Sequence, residues 1–252
     1  MKLNVTIISA VYNSNKTIRK SIDSVIYQDY PLVEYIIVDG KSSDCSMKVI
    51  KNYLKMNLSI KLISEKDDGV YDAFNKGIEM ATGDIIGFVN ADDFLNSKTI
   101  ISEIVSMMKS ESLDGVYGDL QYIYKNNPQT IIRSWKSLDY HKSLLKKGWM
   151  PPHPTLFLKK EVYEKHGLFD LSYKISADYD FILRIFKDSE LKFGYLPKVI
   201  TKMRTGGISN RNLKNIIKKS IEDYRAIRSN NVGNFLTLIR KNTSKLKQFF
   251  NS

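Results

Sequence analysis

The sequence predicts an α/β protein built on a doubly wound, mostly parallel sheet. Three observations predict it. Apolar runs of strand length alternate with helix-spaced apolar residues through the first half of the chain. Several of those runs stop abruptly at acidic or polar clusters. The 252 residues, 42% of them hydrophobic, suffice for one large core.

The elements follow in order. Asn4 to Ala10 is an apolar strand, and Ile18, Ile22, Val25 and Ile26 repeat at helical spacing. Tyr35 to Val38 is a second strand, ended by Asp39-Gly40; Met47, Ile50 and Leu54 mark the next helix. Ile60 to Ser64 is a third strand, and Gly69 precedes a helix through Tyr71, Phe74 and Ile78. Ile85 to Val89 is a fourth strand, ended by Asn90-Ala91-Asp92-Asp93, with a helix over Ile100 to Met108. Ligands of such sheets bind outside the carboxyl ends of the strands. The clusters at Asp39, Asp67-Asp68 and Asp92-Asp93 are therefore expected to converge on one crevice.

The middle changes character. Asp119 to Lys125 and Gln129 to Trp135 flank Asn126-Asn127-Pro128 and read as a hairpin. Leu138 to Lys147 reads as helix. Trp149 to Pro154 is irregular, since its three prolines lack a donor and fix φ. Thr155 to Leu158 reads as strand and Tyr179 to Phe186 as helix. Residues 211–252 hold ten basic side chains against Glu222 and Asp223, most of the net charge of +12. They are expected to form a basic helical extension to a domain of residues 1–210.

The excess of positive charge points to an anionic partner: a nucleic acid, a phosphorylated substrate or an acidic membrane face. A single cysteine, Cys45, allows no disulfide within the chain and fits a reducing compartment. The first residues read as a strand rather than a signal peptide, and no apolar run is long enough to span a bilayer. A cytoplasmic protein is expected, at most peripheral to a membrane.

Four positions point to chemistry. Asp92-Asp93 is either a solvated turn before the helix near Ser97 or a divalent-cation site, because adjacent carboxylates repel until a cation joins them. Asp39 either accepts from a nucleobase N–H or caps the next helix. Asp178-Tyr179-Asp180 stands where a helix begins, as dipole-favoured acids or as the source of a general base. His153 is structural or functional; His141, His153 and His166 lack metal-ligand spacing. No Gly-x-Gly-x-x-Gly, P-loop or Gly-x-Ser-x-Gly motif is present.

These residues, in their order, resemble the family-2 glycosyltransferases, which have the GT-A fold. Thr6-Ile7-Ile8-Ser9-Ala10-Val11-Tyr12-Asn13 resembles the family's opening strand and nucleotide loop. Ile36 to Asp44, Asp68 to Ile78, and Ala81 to Asp93 resemble its next three motifs, the last carrying the DxD element. His153-Pro154-Thr155-Leu156-Phe157, Gly167 to Asp170 and Asp178 to Arg184 resemble its acceptor-side half, an insertion on the sheet. Two departures stand out: the family often has Pro near Val11, and Asn90 replaces the first Asp of DxD.

The resemblance implies an inverting, Mn²⁺- or Mg²⁺-dependent enzyme with a UDP-sugar donor. It implies Tyr12 and Asp39 at the base, with Asp68 and Asn75 also on the donor. Asp92 would meet ribose or metal, Asp93 the metal, and Asp178 would be the general base. His153 and Asp180 would face the acceptor, a glycan of a bacterial surface polysaccharide such as O-antigen or capsule, built on a lipid carrier. A basic amphipathic tail suits an anionic membrane surface. A nucleic-acid-binding module is disfavoured by acids in the expected crevice, and a sugar nucleotidyltransferase by the lack of glycine from Ala10 to Lys16.

Overall fold

The computed structural model describes residues 2–56, 59–125, 127–205 and 213–247. Strand β1 (Val5–Val11) lies between β2 (Val33–Asp39) and β4 (Ile85–Phe88), with β3 (Ile60–Ser64) beyond β2; all three pairings are parallel. Helices α1 (Ile18–Ile26), α2 (Ser46–Leu54) and α3 (Val70–Met80) make the crossovers. Period-two alternation divides β1 between two cores: Ile7 packs with α1, α2 and α4 (Ile100–Ser110), and Ile8 with α3 on the other face. Both faces are covered, as a parallel sheet requires.

Past β4 the sheet becomes mixed. Its neighbours run β3-β2-β1-β4-β8-β6-β9-β5, where β5 is Phe94–Leu95, β6 Gly115–Tyr124, β8 Phe157–Lys159 and β9 Phe193–Arg204. Strand β7 (Asn127–Trp135) pairs antiparallel with β6, forming the expected hairpin; its tip residue Asn126 lies outside the described residues. Helices α5 (Lys160–His166) and α6 (Ala177–Phe186) follow β8 and precede β9.

Two local expectations change. The helix expected over Leu138 to Lys147 is only a 3-10 segment, Lys142–Lys147, ended by left-handed Gly148. Gly148 lies against Thr237 and Lys241, where a Cβ has no room. The twelve-residue β9 has no counterpart in the sequence reading. Pro197 interrupts its pattern, and the pairing with β6 shifts register there, from Leu196 opposite Gly118 to Val199 opposite Asp119.

The C-terminal helices α7 (Leu213–Ser229) and α8 (Phe235–Lys247) are packed into the main core. Ala226, Ile227, Val232 and Leu238 join the same cluster as Ile8 and Phe88. The expected division at residue 210 falls outside the described residues, as do Arg211, Phe249 and Phe250.

Candidate functional site

A cleft of about 450 Å³ opens at the carboxyl ends of β1 and β4. Its walls include Tyr12 to Thr17 after β1, Val70 at the start of α3, Asn90 to Asp92 after β4, and Lys125 and Arg204. The first loop is shaped by Asn13, whose φ is +48°. Its side-chain oxygen accepts the Ser43 backbone N–H at 2.9 Å, while its own N–H donates to Ser42 Oγ at 2.9 Å. The loops after β1 and β2 are thereby stitched together, leaving Tyr12 65% exposed at the cleft.

Asp39 is fully buried beneath these loops. Its carboxylate accepts Ser64 Oγ at 2.8 Å and the Ser42 backbone N–H at 3.2 Å. Gly40 follows because the Asp67 carboxylate occupies the space of a side chain. Burial raises the pKa of Asp67, and repulsion from Asp72 and Asp39 adds to it. Asp68 is exposed, with its N–H donating to Asp72 Oδ2 at 3.0 Å. Neither Asp39 nor Asp68 lines the cleft. Asn75 has a different task from the donor contact expected of it: its amide pairs with both backbone groups of Phe169, at 2.9 and 3.0 Å, which ties α3 to the loop before α6.

The segment after β4 crosses to the far side of the sheet, where Phe94 opposes Lys202 and Leu95 opposes Thr201. This crossing separates the two adjacent acids. Asp92 lines the cleft. Asp93 is fully buried, its Oδ2 accepting Asn90 Nδ2 at 3.0 Å and its Oδ1 the Arg204 N–H at 3.3 Å. Burial raises both pKa values, and the charge of Asp92 pushes that of Asp93 further up. On this geometry Asp92, rather than Asp93, is the carboxylate open to the cleft.

Arg204 was not singled out from sequence, because it ends the strand that the pattern concealed. Its guanidinium donates to the Asp92 carbonyl and lies 5.4 Å from the Phe94 ring. Lys20 lies over the same ring at 4.0 Å. Burial lowers the pKa of Lys20, and repulsion from Arg204 and Lys202 lowers it further. Cations crowded in this way beside the cleft suit a polyanionic ligand.

Asp178 lies in the first turn of α6 and is half-buried. Its Oδ1 accepts the Tyr179 N–H at 2.8 Å and stands 3.0 Å from the Tyr71 hydroxyl, which also reaches the Ile175 carbonyl at 2.7 Å. Burial drives the Tyr71 pKa well up, and the charge of Asp178 adds to it. Asp180 lies two residues on, about 200° around the helix. It is buried away from the cleft, paired with Arg184 Nε at 2.9 Å and Asn230 Nδ2 at 2.8 Å.

His153 sits among Phe74, Phe88 and Phe169, at 5.8, 5.1 and 5.4 Å between ring centres. Burial lowers its pKa, against the opposing charge of Asp178. Tyr122, also missed from sequence, lies under the Arg133 guanidinium, which stands 4.3 Å from its ring centre. Burial raises its pKa; the Arg133 charge opposes this, and Asp93 and Asp178 both raise it further. The structure thus brings together Tyr12 and Asp92 on one cleft, with Asp93 directly behind it, whereas Asp178 and His153 do not line it.

The family model for glycosyl transferase family 2 matches residues 6–167. A PGL/p-HBAD biosynthesis glycosyltransferase of Mycobacterium bovis is 31% identical over 209 residues, 81% of this chain and 78% of the relative. The uncharacterized glycosyltransferase EpsJ of Bacillus subtilis is 27% identical over 74% of this chain and 57% of its own length. Among solved structures, S. aureus TarS 1-349 in complex with UDP-GlcNAc superposes with a TM-score of 0.70 at 17% identity, covering 91% of this chain and 66% of that one. The mannosyltransferase PcManGT from Pyrobaculum calidifontis, in complex with GDP-Man and Mn²⁺, gives 0.65 at 18% identity, covering 91% and 64%. Against a longer TarS structure the chain spans 43% of the length. These neighbours share the GT-A fold. With the family model matching well over half of its length, the chain belongs to glycosyl transferase family 2.

Proposed function

We propose that this glycosyltransferase moves a sugar from a UDP-sugar to a hydroxyl of a glycan acceptor, with inversion at the anomeric carbon. The observation that supports this most is the cleft at the carboxyl ends of β1 and β4, lined by Tyr12, Asp92 and Arg204, with Asp178 in the first turn of α6. In this reading Asp92, with Asp93 behind it, stands by the leaving diphosphate and Asp178 by the incoming hydroxyl. A single displacement needs that arrangement.

Asp178 is the general base. Among the described residues both of its hydrogen bonds fall on Oδ1, so Oδ2 takes the acceptor proton as the oxygen attacks C1. The bond from C1 to the donor diphosphate breaks in the same step, and the diphosphate leaves with its electron pair. Arg204, on the cleft wall, holds the polyanion. Tyr12 covers the nucleobase at the cleft mouth, with Asp39 and Asp68 supporting the loops around it. His153, neutral in its aromatic cage, shapes the acceptor side.

Mn²⁺ or Mg²⁺ fits this donor set. Such ions take one or two protein carboxylates and complete their shell with phosphate oxygens and water. Asp92, with Asp93 behind it, supplies that number, and among the described residues no cluster of three or more ligands competes. When bound, the ion neutralises charge developing on the diphosphate. The Mn²⁺ and UDP-GlcNAc in the neighbours' structures support the choice of ion and donor.

The acceptor in this reading is a lipid-linked glycan of a bacterial surface polysaccharide, O-antigen or capsule, met at the cytoplasmic membrane face. The test is release of nucleotide from UDP-, GDP- and dTDP-sugars with and without Mn²⁺. Turnover of a UDP-sugar is expected; no turnover of any donor under either condition would overturn the reading.

A further inference from the structure

The outer face of the C-terminal helices is apolar, and among the described residues nothing covers it. Ile217, Ile221 and Tyr224 follow one another along α7 at spacings of four and three, and so share a stripe. Ile217 and Ile221 are 61% and 64% exposed. The stripe continues onto α8, where the Phe235 ring meets Tyr224 edge-on at 6.1 Å. Phe235, Leu236 and Ile239 are 59%, 58% and 43% exposed beyond it. Isolated exposed apolar side chains need no explanation, whereas a run of six large ones across two helices does.

The charge around this stripe is of one sign. Lys214, Lys218, Arg228 and Arg240 are all exposed. The acids of α7 point the other way. Glu222 accepts the backbone N–H groups of Lys174, Ile175 and Ser176, and Asp223 is fully buried against Lys219 and Lys241 at 2.7 and 2.8 Å. Among the described residues of α7 and α8, every exposed charge is therefore positive. A core helix hides its apolar stripe and leaves a mixed-charge surface. Here part of the apolar surface faces out and the acids face in.

We infer that this face lies in the interface of an anionic lipid bilayer, with Ile217, Ile221, Phe235 and Ile239 among the acyl chains and Lys214, Lys218, Arg228 and Arg240 at the headgroups. An apolar stripe with a basic border has the composition that anionic interfaces bind. A second copy of the chain is a poor occupant, because a two-fold contact would oppose the same basic border to itself. Among the described residues no helix is long and apolar enough to cross a membrane, so docking is on the surface. The benefit of docking rests on the reading of the acceptor as lipid-linked; the binding itself does not.

The test uses the full chain with phosphatidylcholine vesicles, with and without phosphatidylglycerol, in the absence of donor and acceptor. Binding is expected only with the anionic lipid. Ile221→Ser with Phe235→Ser, and separately Lys218→Glu with Arg228→Glu, should each weaken it by about tenfold or more. Donor hydrolysis in solution should remain at the wild-type rate in both variants, which separates loss of docking from loss of the catalytic site. Equal binding to both vesicle types, or unchanged binding by both variants, would overturn the inference. So would a wild-type dimer in sedimentation that Ile221→Ser with Phe235→Ser dissociates. If hydrolysis fails in the wild type while vesicle binding holds, the enzymatic reading fails and the docking face stands.

Discussion

Glu222 Oε2 accepts the backbone N–H of Ser176 at 3.0 Å, two residues before Asp178, and so joins helix α7 to the start of α6. The same carboxylate accepts from Ile175 at 2.8 Å and from Lys174 at 3.1 Å. A hydrogen bond to a charged group contributes about 1.5–3 kcal/mol, and an orphaned buried N–H costs a similar amount. Glu222 therefore fixes the approach of the chain to the proposed base. Glu222→Gln should lower kcat by roughly tenfold, since small misplacements of a base are costly. The donor KM should stay constant, because the cleft walls are untouched. An unchanged kcat, or an equal loss in donor affinity, would remove this positioning role.

Asp178 and Asp180 should separate cleanly. Asp178→Asn should keep UDP binding and reduce turnover by about 10²-fold or more. Asp180→Asn should instead lower the Tm, because Arg184 and Asn230 lose a charged partner in a buried setting. Calorimetric titration with UDP, paired with thermal melts, distinguishes them. A fully active Asp178→Asn would exclude it as base.

The two acids after β4 should also part. Asp92→Ala should abolish Mn²⁺-dependent turnover while the protein still folds, since Asp92 lines the cleft. Asp93→Ala should lower the Tm, by leaving Asn90 Nδ2 and the Arg204 N–H without their acceptor. Thermal shift with and without Mn²⁺ and UDP reads both effects. Retention of the Mn²⁺ response in Asp92→Ala would contradict the assignment.

His153 gives a pH dependence of stability. Burial lowers its folded pKa below the ordinary 6.5. The unfolded chain then binds a proton that the folded chain resists, so this residue destabilises the fold as pH falls through about 6.5 and below. The penalty is absent above that value. His153→Phe, a ring that suits the cage of Phe74, Phe88 and Phe169, should flatten the acid side of the Tm profile between about pH 6.5 and 5. An unchanged profile would show that His153 takes up its proton in the fold as readily as in the unfolded chain.

The parallel half was legible because its strands are unbroken apolar runs such as Ile36-Ile37-Val38, ending where the chain turns into the cleft. The positions of Asp92 after a strand end and of Asp178 at a helix start were legible for the same reason. What stayed hidden depends on contacts distant in sequence. β9 carries Pro197 and Lys198 through its middle, so Arg204 had no visible strand to end. The outward appearance of Asp93, Asn75 and Asp180 gave no sign that Arg204, Phe169 and Asn230 would satisfy them internally. The tail was read as an extension, because amphipathic spacing does not reveal that Ala226, Ile227 and Leu238 enter the main core.

The anomeric outcome tests the central claim most directly. With UDP-α-sugar and no acceptor, water takes the place of the attacking hydroxyl, and time-resolved proton NMR identifies the sugar anomer released before mutarotation. The β anomer should appear first, and Asp178→Asn should suppress its formation. First release of the α anomer would contradict a single displacement with Asp178 as the base.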